Sequence, residues 1–326
     1  MSYTKFPFNR DVNWQQKRKT QIVSFSVHHI QNTVRIVTML AILGGVMIPT
    51  DWVSNYVLWF ALLLIIFGVP HGASDYIIFR RMLQKKESAP THLHFGAYYF
   101  SAMLLYGAIW WIAPVVAFLL FILISAYHFG QSNWHSIDFK KYWQAWLVYG
   151  VWGIAVIGIP VLLHHEEASV IILEITGVVI DMSAWRAPLI YTLIGINLLQ
   201  IVTLFEQNLI PKDRFYRELS NFLLLVGLFA TTPLLVGFGI YFMFWHSLTS
   251  TLDQLQVFQR WDKRYDLRRY LRQVVPMTIL AFVGLGGIYY FLGDQMNHGI
   301  NLGAFFLFIA IITVPHSILM DKLYSH

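Results

Sequence analysis

The chain has no cysteine among its 326 residues. This absence excludes disulfide bonds and thiolate metal ligands, so any metal site must use histidine and oxygen donors. Charged residues are also scarce, at 12% of the chain against 57% hydrophobic residues. Such a composition is typical of a polytopic membrane protein and excludes an assembly of ordinary soluble domains.

The first 30 residues lack an uninterrupted apolar run before a small-residue cleavage site, and we therefore expect no removable signal peptide. Although the 23 Lys and Arg outnumber the 17 Asp and Glu, the basic residues stand in short blocks between apolar runs. They do not form one basic module, so nucleic acid is not an expected partner. We interpret the blocks as markers of membrane topology.

The apolar runs and the basic blocks between them predict an all-α protein with about ten transmembrane helices and cytoplasmic N- and C-termini. Two of these helices are expected to be short. The apolar stretch 221–250 is flanked on both sides by basic segments, which are expected in the cytoplasm, so it must cross the membrane twice. The break is expected near Pro233. We expect one integral membrane domain over residues 1–326, with a polar cytoplasmic segment at 1–32 and a basic cytoplasmic loop at 251–273.

Four histidines lie inside or at the end of apolar runs, where ionisable residues are costly. They are His71, His128, His246 and His316. In the predicted topology all four lie in the inner halves of helices that run from the outer to the inner face. The common depth predicts that they share one site.

The residue types favour a metal centre at these histidines. Neutral imidazole is the commonest nitrogen ligand for iron, copper and zinc, and four histidines without cysteine are typical of non-haem iron or copper. A ligating histidine usually donates its second ring N–H to a carboxylate or a carbonyl. Asp75, four residues after His71, and Asp321, five after His316, are candidates for that role. The alternative is that each histidine is a hydrogen-bonded packing residue between helices.

Four motifs resemble, in this order along the chain, the Brp/Blh family of membrane-bound β-carotene 15,15′-dioxygenases. They are GVPHGASD, SAYHFGQS, FWHSL and VPHSILMD, one around each of the four histidines. The resemblance implies O₂-dependent cleavage of β-carotene at its central double bond into two retinals, with an iron(II) cofactor. It also implies a carotenoid that enters from the lipid bilayer, a location in the bacterial inner membrane and a functional link to a microbial rhodopsin.

The resemblance also implies an assignment of metal ligands. The histidines carried over by position are His71, His128 and His246. The family pattern has a second histidine four residues after His246, where this chain has Ser250, and an acid shortly after the HFG motif, where it has Ser132 and Asn133. Because a serine hydroxyl is a poor replacement for imidazole, His316 is preferred as the fourth ligand, with a water as the alternative.

Five aromatic residues flank the histidines directly and are candidates for lining a tunnel that holds a long polyene. They are Phe67, Tyr127, Phe129, Phe244 and Trp245. Ordinary helix packing and aromatic belts at the membrane interfaces explain such residues equally well. The tunnel is therefore one of two interpretations.

Other classes of function remain open on the sequence alone. A shifted ligand set is compatible with cleavage of a different carotenoid, or with a carotenoid- or retinal-binding or transport protein without enzymatic activity. In a transporter, the buried histidines and aspartates would serve as a proton relay. A haem protein is a further alternative, whereas a membrane di-iron desaturase is disfavoured because it needs more histidines in closely spaced pairs.

Overall fold

All regular elements in the described part of the computed structural model are helices. The structure describes residues 14–48, 68, 70–83, 92–292 and 302–324. No strand occurs in these ranges. Since a helix satisfies all its backbone hydrogen bonds within one segment, it is a structure that can cross a bilayer alone. The all-α prediction is confirmed.

Twelve α-helices and one π-helical segment follow one another in the described ranges. They are α1 (Trp14–Met47), α2 (Asp75–Leu83), α3 (His92–Ile112), α4 (Pro114–Trp134), α5 (Tyr142–Leu163), α6 (His165–Thr176), α7 (Arg186–Glu206), α8 (Lys212–Thr231), α9 (Leu234–Ile240), the π-helical segment (Tyr241–Leu248), α10 (Thr249–Trp261), α11 (Leu267–Leu292) and α12 (Leu302–Tyr324).

Six of the described helices contain a stretch long and apolar enough to cross a membrane. About 20 apolar residues span the hydrocarbon core, and these stretches have 19 to 22 residues. They are His29–Met47, His92–Ile112, Pro114–Trp134, Tyr142–Leu163, Arg186–Glu206 and Phe306–Tyr324. The polytopic membrane class follows from them, whereas ten spans and two cytoplasmic termini stay predictions.

The predicted break in the stretch 221–250 lies where the sequence places it. Helix α8 ends at Thr231 and α9 begins at Leu234, because Pro233 has no N–H to continue the hydrogen-bond ladder. The helices on both sides extend beyond the apolar stretch. Since helical hydrogen bonding continues into polar residues, α8 begins at Lys212 and is 20 residues long.

Helices α4 and α5 pack closely against each other along their length. A side chain at Gly130 of α4 would overlap the backbone of Tyr149, and one at Gly153 of α5 would overlap the backbone of Ala126. Small residues allow helix backbones to approach in this way. Glycine at these two positions therefore allows α4, the helix that contains His128, to pack directly against the backbone of α5.

Gly153→Ala is expected to destabilise the protein by roughly 1–3 kcal/mol, because the added methyl group overpacks the α4–α5 contact. Gly150→Ala is the matched control in the same helix, since a side chain there meets no atom within 4 Å. Alanine favours helix, so the control should be neutral or slightly stabilising. Thermal unfolding in detergent measures both, and equal effects would contradict the packing argument.

Candidate metal centre and cavity

The four histidines meet in one buried cluster. The ring centroid of His71 lies 6.2 Å from that of His128, 5.1 Å from that of His246 and 4.6 Å from that of His316. The centroid of His128 lies 4.9 Å from those of both His246 and His316. All four side chains are buried. Residues separated by most of the chain length thus form a single site.

Local backbone features set the positions of the histidines. His71 lies in a helical turn at 70–72, which a turn at 73–74 separates from α2. His246 lies in the π-helical segment, a wider form of helix that occurs frequently at functional sites. His316 follows Pro315 inside α12, while His128 lies in the regular helix α4.

Three of the rings are held by a hydrogen bond at Nδ1. His316 Nδ1 lies 2.8 Å from Asp75 Oδ1, His246 Nδ1 lies 3.1 Å from Ser132 Oγ, and His71 Nδ1 lies 3.3 Å from Gln254 Nε2. A histidine oriented through one ring nitrogen presents the other to a metal. The Nε2 atoms are therefore the remaining ligand positions on these three rings.

His128 differs from the other three, because neither of its ring nitrogens has a hydrogen-bond partner among the described residues. Its side chain is only 2% exposed. A buried polar atom without a partner costs about 1–3 kcal/mol, so native proteins rarely keep one without a ligand or a function. An ion bound at this point would remove that cost.

The donor set fits a metal ion. One ring nitrogen from each of His71, His128 and His316 lies within 4.8 Å of the other two. His246 lies outside this set of three, although its ring centroid is 5.1 Å from that of His71 and 4.9 Å from that of His128. A set of neutral imidazoles without thiolate suits iron, copper or zinc.

Asp75 pairs with a different histidine from the one that its position in the sequence suggests. Asp75 supports His316 from the other Pro-His motif rather than its own neighbour His71, and it also accepts a hydrogen bond from Tyr99 at 3.0 Å. The turn at 73–74 interrupts the helix between His71 and Asp75, so the spacing of four residues does not place the two side chains on one helical face. Asp75 is the first residue of α2, and its side chain contacts His316 on α12. The expectation that spacing alone pairs each acid with its preceding histidine is therefore corrected.

Asp321 lies apart from the hydrogen bonds of His316. It accepts hydrogen bonds from Tyr127 Oη at 2.7 Å and from Gln131 Nε2 at 2.8 Å. The hydrogen-bond partners of His316 are Asp75 and His71. Five residues along a helix correspond to a rotation of about 140° from the starting face, so Asp321 points away from the face of His316.

The two departures from the family pattern have distinct positions. Ser132, in the region where the family has an acid, is the partner of His246 Nδ1. Asn133 Nδ2 lies 3.5 Å from Glu218 Oε2, outside the cluster. Ser250 is completely buried one helical turn after His246, and its hydroxyl has no partner in the described ranges.

All four histidines line one cavity between the helices. Its walls come from the helical turn that contains His71, from helices α3 to α6, from α9 and the π-helical segment, and from α12. Besides the histidines, the lining contains three residues with a hydroxyl group, Tyr99, Ser125 and Thr313. No charged side chain of the described residues lines the cavity. The cavity is therefore apolar, with the histidine cluster in its wall.

Of the five flanking aromatic residues, Phe129 lines the cavity, with its ring centroid 4.5 Å from that of His246. Tyr127, Phe244 and Trp245 are not among the described residues of the lining. A residue next to a histidine in a helix is rotated by about 100° and faces another neighbour. Trp245 Nε1, for example, donates to Thr38 Oγ1 at 2.9 Å.

Phe67 lies outside the described residues. Other aromatic residues form the lining instead, and sequence reasoning missed them. They are Trp110, Phe118, Phe121, Phe238, Phe242, Phe306 and Phe308. Phe242 and Phe238 precede His246 by four and eight residues, so the helical period was the signal for them.

The chain is similar in sequence to known proteins of one family. A family model described as β-carotene 15,15′-dioxygenase matches residues 62–324. A β-carotene 15,15′-dioxygenase from an uncultured marine bacterium is 26% identical over 271 residues, covering 82% of this chain and 94% of the relative. A probable β-carotene 15,15′-dioxygenase Blh from Halobacterium salinarum is 24% identical over 277 residues, covering 77% of this chain and 79% of the relative.

No solved structure gives a significant match to the chain. The family model covers all four histidines, both aspartates and every helix from α2 to α12. The motifs at the four histidines and the extent of the match lead to the same assignment. The chain belongs to the family of β-carotene 15,15′-dioxygenases.

Proposed function

We propose that this protein cleaves β-carotene at its central 15,15′ double bond with O₂ to give two retinals, at a non-haem iron(II) site. The observation that carries the proposal is the placement of four buried histidines in the wall of one apolar cavity without a charged lining residue among those described. The names of the family and of both relatives support the substrate and the reaction.

His71, His128, His246 and His316 would hold the iron. When bound, iron(II) supplies the unpaired electrons through which ground-state O₂ can react with a closed-shell hydrocarbon. Asp75 would keep the Nδ1–H of His316 in place, since its carboxylate only accepts hydrogen bonds. Ser132 would do the same for His246. The fixed rings reduce the rearrangement needed when the ion binds.

β-Carotene has no polar group, so the protein must recognise it through shape and apolar contact. The phenylalanine side chains of the lining supply such contact. An apolar cavity also excludes water from the reacting bond. Since the substrate is dissolved in the bilayer, we propose that it enters from the membrane, and that O₂ reaches the cavity by the same apolar route.

We also propose that the protein is a multi-pass protein of the bacterial inner membrane and one integral domain, and that its retinal supplies a microbial rhodopsin. The same cavity would accept a different carotenoid, and the identity of the aldehyde products decides between these substrates. A carotenoid-binding or transport protein would retain its ligand unchanged.

Removing the metal is expected to abolish turnover. Protein purified in detergent, treated with a chelator under anaerobic conditions and assayed with micellar β-carotene and O₂, should form no retinal. Addition of one equivalent of iron(II) per chain should restore the activity, with zinc(II) as the redox-inactive control that does not. Full turnover after complete removal of metal would contradict the proposal.

A further inference from the structure

Gln254 is a completely buried amide on α10 that contacts the histidine cluster. Its Nε2 atom lies 3.3 Å from His71 Nδ1 and 3.3 Å from Met320 Sδ. Its Oε1 atom accepts hydrogen bonds from Ser74 Oγ at 2.8 Å and from Tyr270 Oη at 3.3 Å. No local sequence pattern marks this residue.

The two ring nitrogens of His71 have different neighbours. The Asp75 carboxylate only accepts, so His316 Nδ1 donates to it and His316 Nε2 has a lone pair. His71 Nε2 lies 3.0 Å from His316 Nε2, so the two atoms meet at one point. The other ring nitrogen, His71 Nδ1, has the amide of Gln254 as its partner.

A metal ion would set the position of the proton on His71. If both Nε2 atoms are ligands, each must offer a lone pair, so the single proton of a neutral His71 lies on Nδ1. This Nδ1–H needs an acceptor, and the side chain within hydrogen-bond distance of it is Gln254. An amide supplies such an acceptor through its oxygen.

We propose that Gln254 is a positioning residue whose amide oxygen accepts the Nδ1–H of His71 and thereby fixes His71 as an Nε2 ligand. In this orientation the amide nitrogen faces the hydroxyls of Ser74 and Tyr270 at the other end of the amide. Hydroxyl groups accept as well as donate, and Ser74 Oγ also lies 3.1 Å from the carbonyl oxygen of His71, to which it can donate. The surroundings of Gln254 are therefore compatible with this orientation.

This inference rests on the proposed metal centre and names a residue that controls its ligand tautomer. Gln254→Met keeps the length of the side chain but offers His71 no strong acceptor. Gln254→Glu, as the carboxylate, offers an acceptor at both oxygens. The two variants should therefore change metal affinity in different ways, whereas a residue that only fills space would keep its affinity in both, since both replacements preserve the length of the side chain.

The test is anaerobic titration of the metal-free, full-length protein with iron(II), read by the rise in unfolding temperature of each variant over its own metal-free form. This rise reports metal affinity separately from the stability of the fold. Gln254→Met should bind iron(II) roughly 10–100-fold more weakly than wild type. Gln254→Glu should bind at least as tightly as wild type.

Gln200→Met is the matched control, since Gln200 lies on α7, where its Nε2 donates to the backbone of Val148 and is remote from the cluster. It should bind iron(II) as wild type does. Wild-type affinity in Gln254→Met, or equal weakening in both Gln254 variants, would overturn the inference while the metal centre stands. If Gln254→Glu does not fold, Gln254→Met against its control decides. No binding by wild type itself would overturn the metal centre and the inference together.

Discussion

Replacing His128 with leucine is expected to abolish retinal formation without destabilising the metal-free protein. Both ring nitrogens of His128 are buried without a hydrogen-bond partner in the described part of the chain. Leucine removes these two polar atoms and keeps an apolar side chain of similar size. The metal-free protein should therefore be unchanged or more stable, by up to about 1–3 kcal/mol.

The activity should fall because an iron ligand is lost. Changes to groups that only support a ligand cost 10–100-fold in affinity or activity, so loss of the ligand itself should cost more than about 100-fold. The measurements are iron content and retinal formation, together with thermal unfolding of the metal-free protein. A variant that is less stable when metal-free but retains turnover would identify His128 as a packing residue.

The second large effect is expected from Asp75→Asn. Asp75 is 1% exposed and holds His316 Nδ1 at 2.8 Å and Tyr99 Oη at 3.0 Å. Asparagine keeps the shape but removes the negative charge that fixes the donor on His316. We expect iron(II) affinity to fall roughly 10–100-fold, as for other partners of metal-binding histidines.

Asp321→Asn tests the crossed pairing of the two motifs. Asp321 accepts hydrogen bonds from Tyr127 and Gln131, so its loss should affect packing of α4 against α12 more than metal affinity. The iron(II) affinity of this variant should stay within about threefold of wild type, well below the change at Asp75. Equal losses of affinity in the two variants would favour the pairing of each acid with its preceding histidine.

Hydropathy and charge were sufficient to predict the helical membrane class, because a bilayer leaves few alternatives for the backbone. The break at Pro233 was also predictable from the chemistry of proline. Helix α6 was missed, since His165–Thr176 lies beyond the preceding membrane run and is too short for a span. Its residues Ile171, Ile172 and Ile175 nevertheless line the cavity.

At the site, the four histidines could be identified from sequence because each is an ionisable residue in an apolar run. Their partners could not, since Asp75, Ser132 and Gln254 reach them across helices that are distant in sequence. Such pairing depends on tertiary packing. Local spacing gave the wrong partner for Asp75, because a turn at 73–74 interrupts the helix.

The lining of the cavity shows the same limit. Adjacency to a histidine selected Phe244 and Trp245, whereas helical periodicity places Phe242 and Phe238 on the side of His246. The same period places Ile312 and Phe308 of α12, four and eight residues before His316, on the side of that histidine. Trp110 reaches the cavity only through the packing of α3, because that helix contributes no histidine to the cluster.

The most direct test of the proposed reaction is chromatography of the carotenoid products from a β-carotene-accumulating bacterium that expresses this protein, beside one that expresses the His71→Ala variant. Immunoblots of the membranes verify equal amounts of both proteins. The proposal predicts retinal as the only cleavage product of the wild type and intact β-carotene with the variant. Intact β-carotene with both proteins, or retinal with both, would contradict it.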